Sequence, residues 1–323
     1  MKSIGVFTSG GDAPGMNACI RAVVRTALYL GIDVYGIKYG YNGMIDGDIY
    51  KMKSYSVSNI LQKGGTILKS ARSNEFRTKE GRQKAFDQLQ KRGIEGLVAI
   101  GGDGTLTGAN LFYEEFGIPT VGCPGTIDND LFGSDYTIGF DTAVNTALDA
   151  IDKIRDTANS HDRVFFVEVM GRHTGFIAIH CGIGGGAEMV MVPETSVTIQ
   201  DVINTLKEGN SRHKTSHIVI VAEGGEQGDA IEVAAKVSKV LPELDIRVTN
   251  LGHIQRGGAP TSQDRILASR VGMAAVEGLV NGQKNVMAGI VDNKVTFTNI
   301  KLAISKSKPI SEEMMRLVEV MSI

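Results

Sequence analysis

The turn Gly101-Gly102-Asp103-Gly104-Thr105 follows an apolar run at 96–100. Twenty-five residues after Gly101, the segment Thr126-Ile127-Asp128-Asn129-Asp130 follows a second apolar run at 119–121. Glycines that bare backbone amides beside carboxylates suit phosphate and magnesium, because amides approach anionic oxygens while a carboxylate reaches the hydrated cation. Asp103 is a candidate magnesium residue, and it is also placed to cap the helix beginning near Thr105; the two roles are compatible. Thr126, Asp128 and Asp130 alternate, so in an extended segment they share one face. Two carboxylates on one face need a cation or a proton between them, as when one positions magnesium and the other accepts a hydroxyl proton. The plainer reading is a solvated Asp-Asn-Asp turn.

A third glycine turn, Ser9-Gly10-Gly11-Asp12-Ala13-Pro14-Gly15, places amides at a helix start but lacks the Gly-Lys-Ser/Thr ending of a P-loop. Arginines flanked by small residues recur at Arg72, Arg172 and Arg256, and Arg163 and Arg247 border apolar runs. Planar guanidinium groups suit phosphate oxygens, although each arginine alone also reads as a surface charge. His161, His180, His213 and His217 read as surface or packing histidines, and Met170 by itself as core.

The elements that must carry these turns alternate. Strand patterns at 2–8, 33–37, 96–100 and 119–121 alternate with helical patterns at 16–30, 79–92 and 106–116, which predicts βαβ units in a doubly wound sheet. Val144, Leu148, Ile151 and Ile154 repeat at helical spacing, predicting a long helix over 142–157 that opens a second domain. Strands at 164–169, 189–192, 218–222 and 246–249 then alternate with helices at 176–181, 199–208 and 230–240. A helix is predicted at 262–279, and a strand at 286–291 fits best as an addition to the first sheet. The expected class is therefore α/β, with two doubly wound domains and mainly parallel sheets.

At 323 residues the chain has room for about two domains of ~150 residues. Its 34 Lys and Arg against 36 Asp and Glu leave a formal net charge of −2, so no global nucleic-acid or membrane surface is implied. Cys19, Cys123 and Cys181 are odd in number and far apart, which reads as reduced packing thiols, and no Cys/His metal pattern occurs. No apolar stretch approaches 18 residues and the start is too short for a signal-peptide core, so a cytoplasmic protein is expected.

The motifs Gly10-Gly11-Asp12, 101–105, 124–130, 170–174, Ala222-Glu223-Gly224 and 252–258 together give the chain a resemblance to the bacterial ATP-dependent 6-phosphofructokinases along essentially its whole length. That resemblance implies an ATP-binding domain over 1–139 plus 254–304 and a sugar-phosphate-binding domain over 140–253 plus 305–323. It implies transfer of the γ-phosphoryl of ATP, as its magnesium complex, to the 1-hydroxyl of fructose 6-phosphate. Asp128 matches the base that takes the hydroxyl proton and Asp103 the magnesium residue, while Asp130 would support the metal or orient Asp128. Gly11, Arg72, Ser73, Gly102, Asp103, Gly104 and Thr105 match ATP positions, with Arg72 also facing the transferring phosphoryl. Thr126, Ile127, Met170, Gly171, Arg172, Glu223, His253, Ile254, Gln255 and Arg256 match sugar-phosphate positions. Arg163 and Arg247 would reach in from a neighbouring subunit of a homotetramer.

The resemblance further implies an effector site for ADP or phosphoenolpyruvate at Arg21, Arg25, Arg155, Gly186, Ala187, Glu188, Arg212, Lys214, Thr215 and Ser216. There the family often has an arginine where this chain has Ser54. Pyrophosphate-using relatives typically carry Asp and Lys in place of Gly104 and Gly125, so the two glycines favour ATP. The competing readings are a pyrophosphate-dependent phosphofructokinase and a non-catalytic nucleotide sensor on the same fold.

Overall fold

The computed structural model describes residues 1–161, 163–211 and 216–321. The chain divides into two compact units. Met1–Ile127, Leu131–Thr142 and Arg256–Lys308 form the first, and Asp128–Asp130, Ala143–Gln255 and Pro309–Ile323 form the second.

In the first unit, β1 (Ser3–Thr8), α1 (Met16–Tyr29), β2 (Asp33–Ile37), α2 (Tyr41–Asp46) and β3 (Ile49–Lys51) come first. They are followed by α3 (Lys79–Lys91), β4 (Gly96–Gly101), α4 (Asp103–Phe116) and β5 (Thr120–Pro124). Helix α5 (Phe140–Asn159) begins in this unit and continues into the second. Within the second unit, β6 (Val164–Val169), α6 (Phe176–Gly185), β7 (Met189–Met191), α7 (Ile199–Ser211), β8 (His217–Ala222), α8 (Ala230–Val240) and β9 (Ile246–Asn250) alternate. The chain then returns to the first unit for α9 (Ser262–Val280), β10 (Val286–Val291), β11 (Lys294–Asn299) and α10 (Ile300–Ser305). It ends in the second unit with α11 (Glu312–Met321).

The first sheet runs β11-β10-β5-β4-β1-β2-β3, with every pair parallel except the two edges. Its central strands are apolar on both faces, as parallel strands covered by helices must be. On one face Phe7, Leu97 and Ala99 join Tyr41, Phe76, Phe112 and Leu89 in a core beneath α2, α3, α4 and α10. Helices α1 and α9 cover the other side, where a Cβ on Gly272 would stand 2.9 Å from the carbonyl oxygen of Cys19. All three cysteines are buried free thiols, as expected.

The strand predicted at 286–291 does join the first sheet, parallel to β5. Sequence patterning missed both antiparallel edges, β3 and β11. The β10–β11 hairpin turns on Asp292 and Asn293, both at positive φ (48° and 59°), which is the geometry two-residue hairpin loops require. A signal was therefore present in the Asp-Asn dipeptide.

The second sheet is wholly parallel in the order β7-β8-β6-β9. Phe166, Val219 and Val221 pack there against Val202, Leu206, Val233 and Val237 of α7 and α8, while α6, with α11 against it, takes the other face.

Candidate active site

In the first sheet β1 and β4 are neighbours although β2 and β3 separate them in the chain, so the strand order reverses between them. Turns leaving the carboxyl ends of strands diverge at such a switch point and leave a crevice. The turns there are Ser9–Gly11 and Gly101–Asp103, with Gly125–Thr126 beside them after β5.

Hydrogen bonds fix these three turns to one another. Ser9 N donates to Ile100 O (3.1 Å), Thr105 Oγ1 donates to Ser9 O (2.9 Å), and Gly125 N donates to Gly101 O (3.0 Å). A Cβ at Gly101 would overlap Thr105 Oγ1 and Ser9 O, and one at Gly102 would touch Thr126 Cβ at 3.4 Å. Backbone approach this close explains the glycines without appeal to flexibility.

Helix α4 starts three residues earlier than its sequence pattern suggests. Asp103 is its first residue and Gly102 its N-cap, so Asp103 is not the cap. The carboxylate is half-buried at the positive end of a 14-residue helix. Among the described residues no cluster of three or more His, Cys, Asp or Glu is arranged to hold a metal. One carboxylate beside bare amides nonetheless fits magnesium, which keeps several waters and takes its remaining ligands from substrate phosphates.

Tyr41, absent from the sequence reading, props this turn from below: its hydroxyl donates to Thr105 O at 2.6 Å and its ring stacks on Phe76 at 3.9 Å. Burial pushes its phenol well above the ordinary value. Nothing lies within 4 Å of a Cβ placed on Gly104, whereas one on Gly125 would stand 3.0 Å from Met16 Cε. Arg72 is exposed, its carbonyl accepting from Asn42 Nδ2 at 3.3 Å, and Ser73 Oγ accepts from Phe76 N at 3.1 Å.

Arg256 also belongs to this unit. Its Nη1 lies 3.4 Å from Asp12 O and would stand 2.5 Å from a Cβ on Gly11, so the guanidinium rests on the glycine turn.

The segment 126–130 is not extended. It bends at Ile127 and Asp128, and Asn129 takes a left-handed φ of 55°, so the strict alternation of Thr126, Asp128 and Asp130 does not hold. A left-handed residue reverses the chain locally, and the period-2 argument fails with it. The chain also passes from the first unit to the second between Ile127 and Asp128.

In the second unit, substrate candidates gather at the carboxyl ends of the adjacent strands β8, β6 and β9. Asp128 is buried, and its carbonyl accepts from Thr174 Oγ1 at 3.1 Å, which joins it to the loop after β6. That loop is sharply turned, with Gly171 at φ 152° and Arg172 at 61°. Arg172 N donates to Glu223 Oε1 (2.8 Å), leaving the Arg172 side chain exposed. Gln255 is wholly buried: its Oε1 accepts from Met170 N (3.2 Å) and its Nε2 donates to Gly252 O (3.0 Å), tying the loop after β6 to the turn after β9. His253 and Ile254 stand exposed on that turn.

Glu168, a lone acid in the apolar run of β6, was also absent from the sequence reading. It accepts from Ala230 N (2.8 Å) and Asn250 Nδ2 (2.5 Å), bracing the start of α8 and the end of β9. An isolated carboxylate in a buried strand is the signal that would have found it.

Arg163 and Arg247 lie at the opposite, amino ends of β6 and β9. Both pair with Asp245, Arg163 Nε at 2.7 Å and Arg247 Nη2 at 2.9 Å. The Arg163 hydrogen bond, aided by Arg247, holds the Asp245 carboxyl below its ordinary value. Seven residue steps at about 3.3 Å each put Arg163 roughly 23 Å from Met170 along β6. The two arginines are thus not brought to the loops of their own chain's substrate candidates.

The effector candidates of this unit lie at the same amino ends. Arg155 Nη2 donates to the carbonyls of Gly185 and Gly186 (2.7 Å for the latter), Ala187 is buried, and Glu188 accepts from Ile218 N at 2.6 Å. Ser216 Oγ donates to Asn159. Arg212, Lys214 and Thr215, with His213, lie outside the described residues. In the first unit, Arg21 and Arg25 stand one turn apart on α1, and burial, then Arg25, lowers the pKa of Arg21.

Residues 3–279 match the profile of the phosphofructokinase family. The chain is 63% identical over 319 residues to the ATP-dependent 6-phosphofructokinase of Cytophaga hutchinsonii, covering 99% of this chain and 97% of that protein. It is 59% identical to ATP-dependent 6-phosphofructokinase 1 of Thermus thermophilus, over the whole of both. Among solved structures, phosphofructokinase from Saccharomyces cerevisiae superposes with a TM-score of 0.89 at 35% identity. That match takes in all of this chain, which spans about half the length of the yeast chain, 47%.

Proposed function

The chain belongs to the phosphofructokinase family, and from that premise we propose that it transfers the γ-phosphoryl of ATP to the 1-hydroxyl of fructose 6-phosphate in glycolysis, giving fructose 1,6-bisphosphate and ADP. The observation that carries this reading is the Gly101–Thr105 turn at the switch point, bonded to its neighbours and open beside Gly104. Space there suits a nucleotide extending beyond its phosphates.

In this reading Gly11, Arg72, Ser73 and residues 102–105 hold ATP. Asp103 would hold magnesium, which when bound would offset the charge of the phosphates. Thr126, Ile127, Met170, Gly171, Arg172, Glu223 and residues 253–256 hold the sugar phosphate, with Gln255 acting from beneath. Asp128 accepts the hydroxyl proton, and Asp130 supports the metal or orients Asp128. An ordinary aspartate is a weak base at neutral pH. In a loose phosphoryl-transfer transition state the attacking bond is little formed, so positioning and charge stabilisation by Arg72 and Arg172 outweigh base strength. The same division makes residues 1–139 with 254–304 the ATP-binding domain and 140–253 with 305–323 the sugar-phosphate domain.

Arg163 and Arg247 serve a neighbouring subunit of a homotetramer, a role that accords with their distance from the loops of their own sheet. ADP or phosphoenolpyruvate binds Arg21, Arg25, Arg155, residues 186–188 and residues 212–216, where Ser54 adds no positive charge. No helix among the described residues is long and apolar enough to cross a membrane, and a cytoplasmic setting follows from the proposed reaction.

The test is ADP production from magnesium ATP with and without fructose 6-phosphate, repeated with pyrophosphate as donor. Sugar-dependent ADP release supports the reading. Turnover with pyrophosphate alone, or none with either donor, refutes it.

A further inference from the structure

Asp264 is completely buried at the third position of α9, in the first unit, among none of the residues given a role above. Its Oδ1 accepts from Gly139 N (2.8 Å), and its Oδ2 accepts from both Thr142 N (2.8 Å) and Thr142 Oγ1 (2.5 Å). Thr261 completes the cluster: its N donates to Thr142 Oγ1 (3.0 Å), and its Oγ1 accepts from Asp264 N (3.2 Å) and donates to Asp141 (2.5 Å). One carboxylate of α9 thus caps the start of α5, satisfying amides that a helix leaves without intrahelical partners.

The segment so held is itself fastened to a candidate substrate residue. Thr137 Oγ1 donates to Thr126 O at 2.6 Å, Ile138 N donates to Pro124 O at 2.8 Å, and Gly125 bridges Ile138. Gly15, at the end of the first glycine turn, lies against the same cluster, since a Cβ there would stand 2.7 Å from Ile138 Cγ2 and 3.6 Å from Asp264 Cβ.

We propose that Asp264 is a positioning residue: by clamping residues 139–142 it fixes the backbone of Thr126 and the adjoining turn. The inference rests on the reading of Thr126 as a substrate contact given above. Burial opposes ionisation of this acid, pushing its carboxyl up to about 6 even though the donated hydrogen bonds pull the other way. Both carboxylate oxygens accept hydrogen bonds, from Gly139 and from Thr142, whereas an amide in their place has a single acceptor oxygen, so Asp264→Asn breaks one side of the clamp.

The experiment compares wild type, Asp264→Asn, Thr137→Val and the double variant, each checked for fold by thermal unfolding and sizing. Asp264→Asn is expected to lower kcat per folded chain by roughly 10- to 100-fold with the KM for ATP within about threefold, the pattern of displaced reacting groups. Thr137→Val, which cuts the same linkage nearer Thr126, is expected to reproduce part of that loss, and the double variant to fall short of the product of the two. Unchanged kcat in folded Asp264→Asn, or fully multiplicative losses, overturns the proposal.

Deuterium uptake over residues 124–142 reads the clamp without turnover. It is expected to rise in Asp264→Asn, and unchanged uptake also overturns the proposal. Absence of sugar-dependent turnover in the wild type counts against the proposed function instead, leaving the exchange result to decide the clamp.

Discussion

The backbone amide of Arg172 donates to Glu223 Oε1 at 2.8 Å from a left-handed conformation, φ 61°. Non-glycine residues occupy that region at a cost, so the acid on the neighbouring strand end stabilises the bend from which the guanidinium projects. Glu223→Ala removes the acceptor and is expected to raise the KM for fructose 6-phosphate at least about tenfold, in line with loss of a charge-assisted hydrogen bond. The KM for ATP should stay near wild type. Steady-state kinetics with each substrate varied checks this, and equal rises in both constants would contradict it.

Asp128 is buried, with its carbonyl tied to Thr174. With the proton-acceptor role proposed for it, Asp128→Ser is expected to lower kcat by roughly 10²–10⁴-fold while KM changes little. A large KM change with kcat preserved would reassign Asp128 to binding.

Gly104 and Gly125 should respond differently to alanine. Open space at Gly104 means Gly104→Ala leaves thermal stability near wild type while raising the KM for ATP. At Gly125 the new Cβ would press on Met16 and on the Gly101 amide, so Gly125→Ala should destabilise by about 1–3 kcal/mol, the usual range for overpacking. Thermal melts alongside ATP titrations separate the two effects.

Asp264 supplies a pH test. Its folded carboxyl is raised to about 6, above an unfolded value of ~3.9, so between those values the folded state holds the proton more tightly. The stability this adds is fully present below pH ~4 and is lost as pH rises to about 6, a change on the order of 3 kcal/mol. Urea midpoints measured from pH 4 to 7 should show that slope in the wild type relative to Asp264→Asn. A parallel pair of profiles would rule it out.

Most of the architecture was legible in the residues. Apolar runs ending in glycine turns marked β1, β4, β5, β6 and β8, because parallel strands buried on both faces must be apolar and their ends must bare backbone to approach one another. The edges were harder. Strand β11 is largely exposed and alternates polar residues, so its only marker was the Asp-Asn turn. Glu168 and Asp264 escaped because each acts on backbone amides far away in the chain, although a lone acid in an apolar strand and a Thr-x-x-Asp at a helix start were both visible.

The sequence by itself determined the class, the turns and the family, because glycine spacing and acid placement are local requirements of a strand end that meets phosphate. Only the tertiary structure decided which of those residues meet. It placed Arg256 on the Gly11–Asp12 turn, bent the 126–130 segment out of alternation at Asn129, and separated Arg163 from Met170 by the length of β6. Strand order and direction fix those distances, and neither is a property of any short stretch of chain.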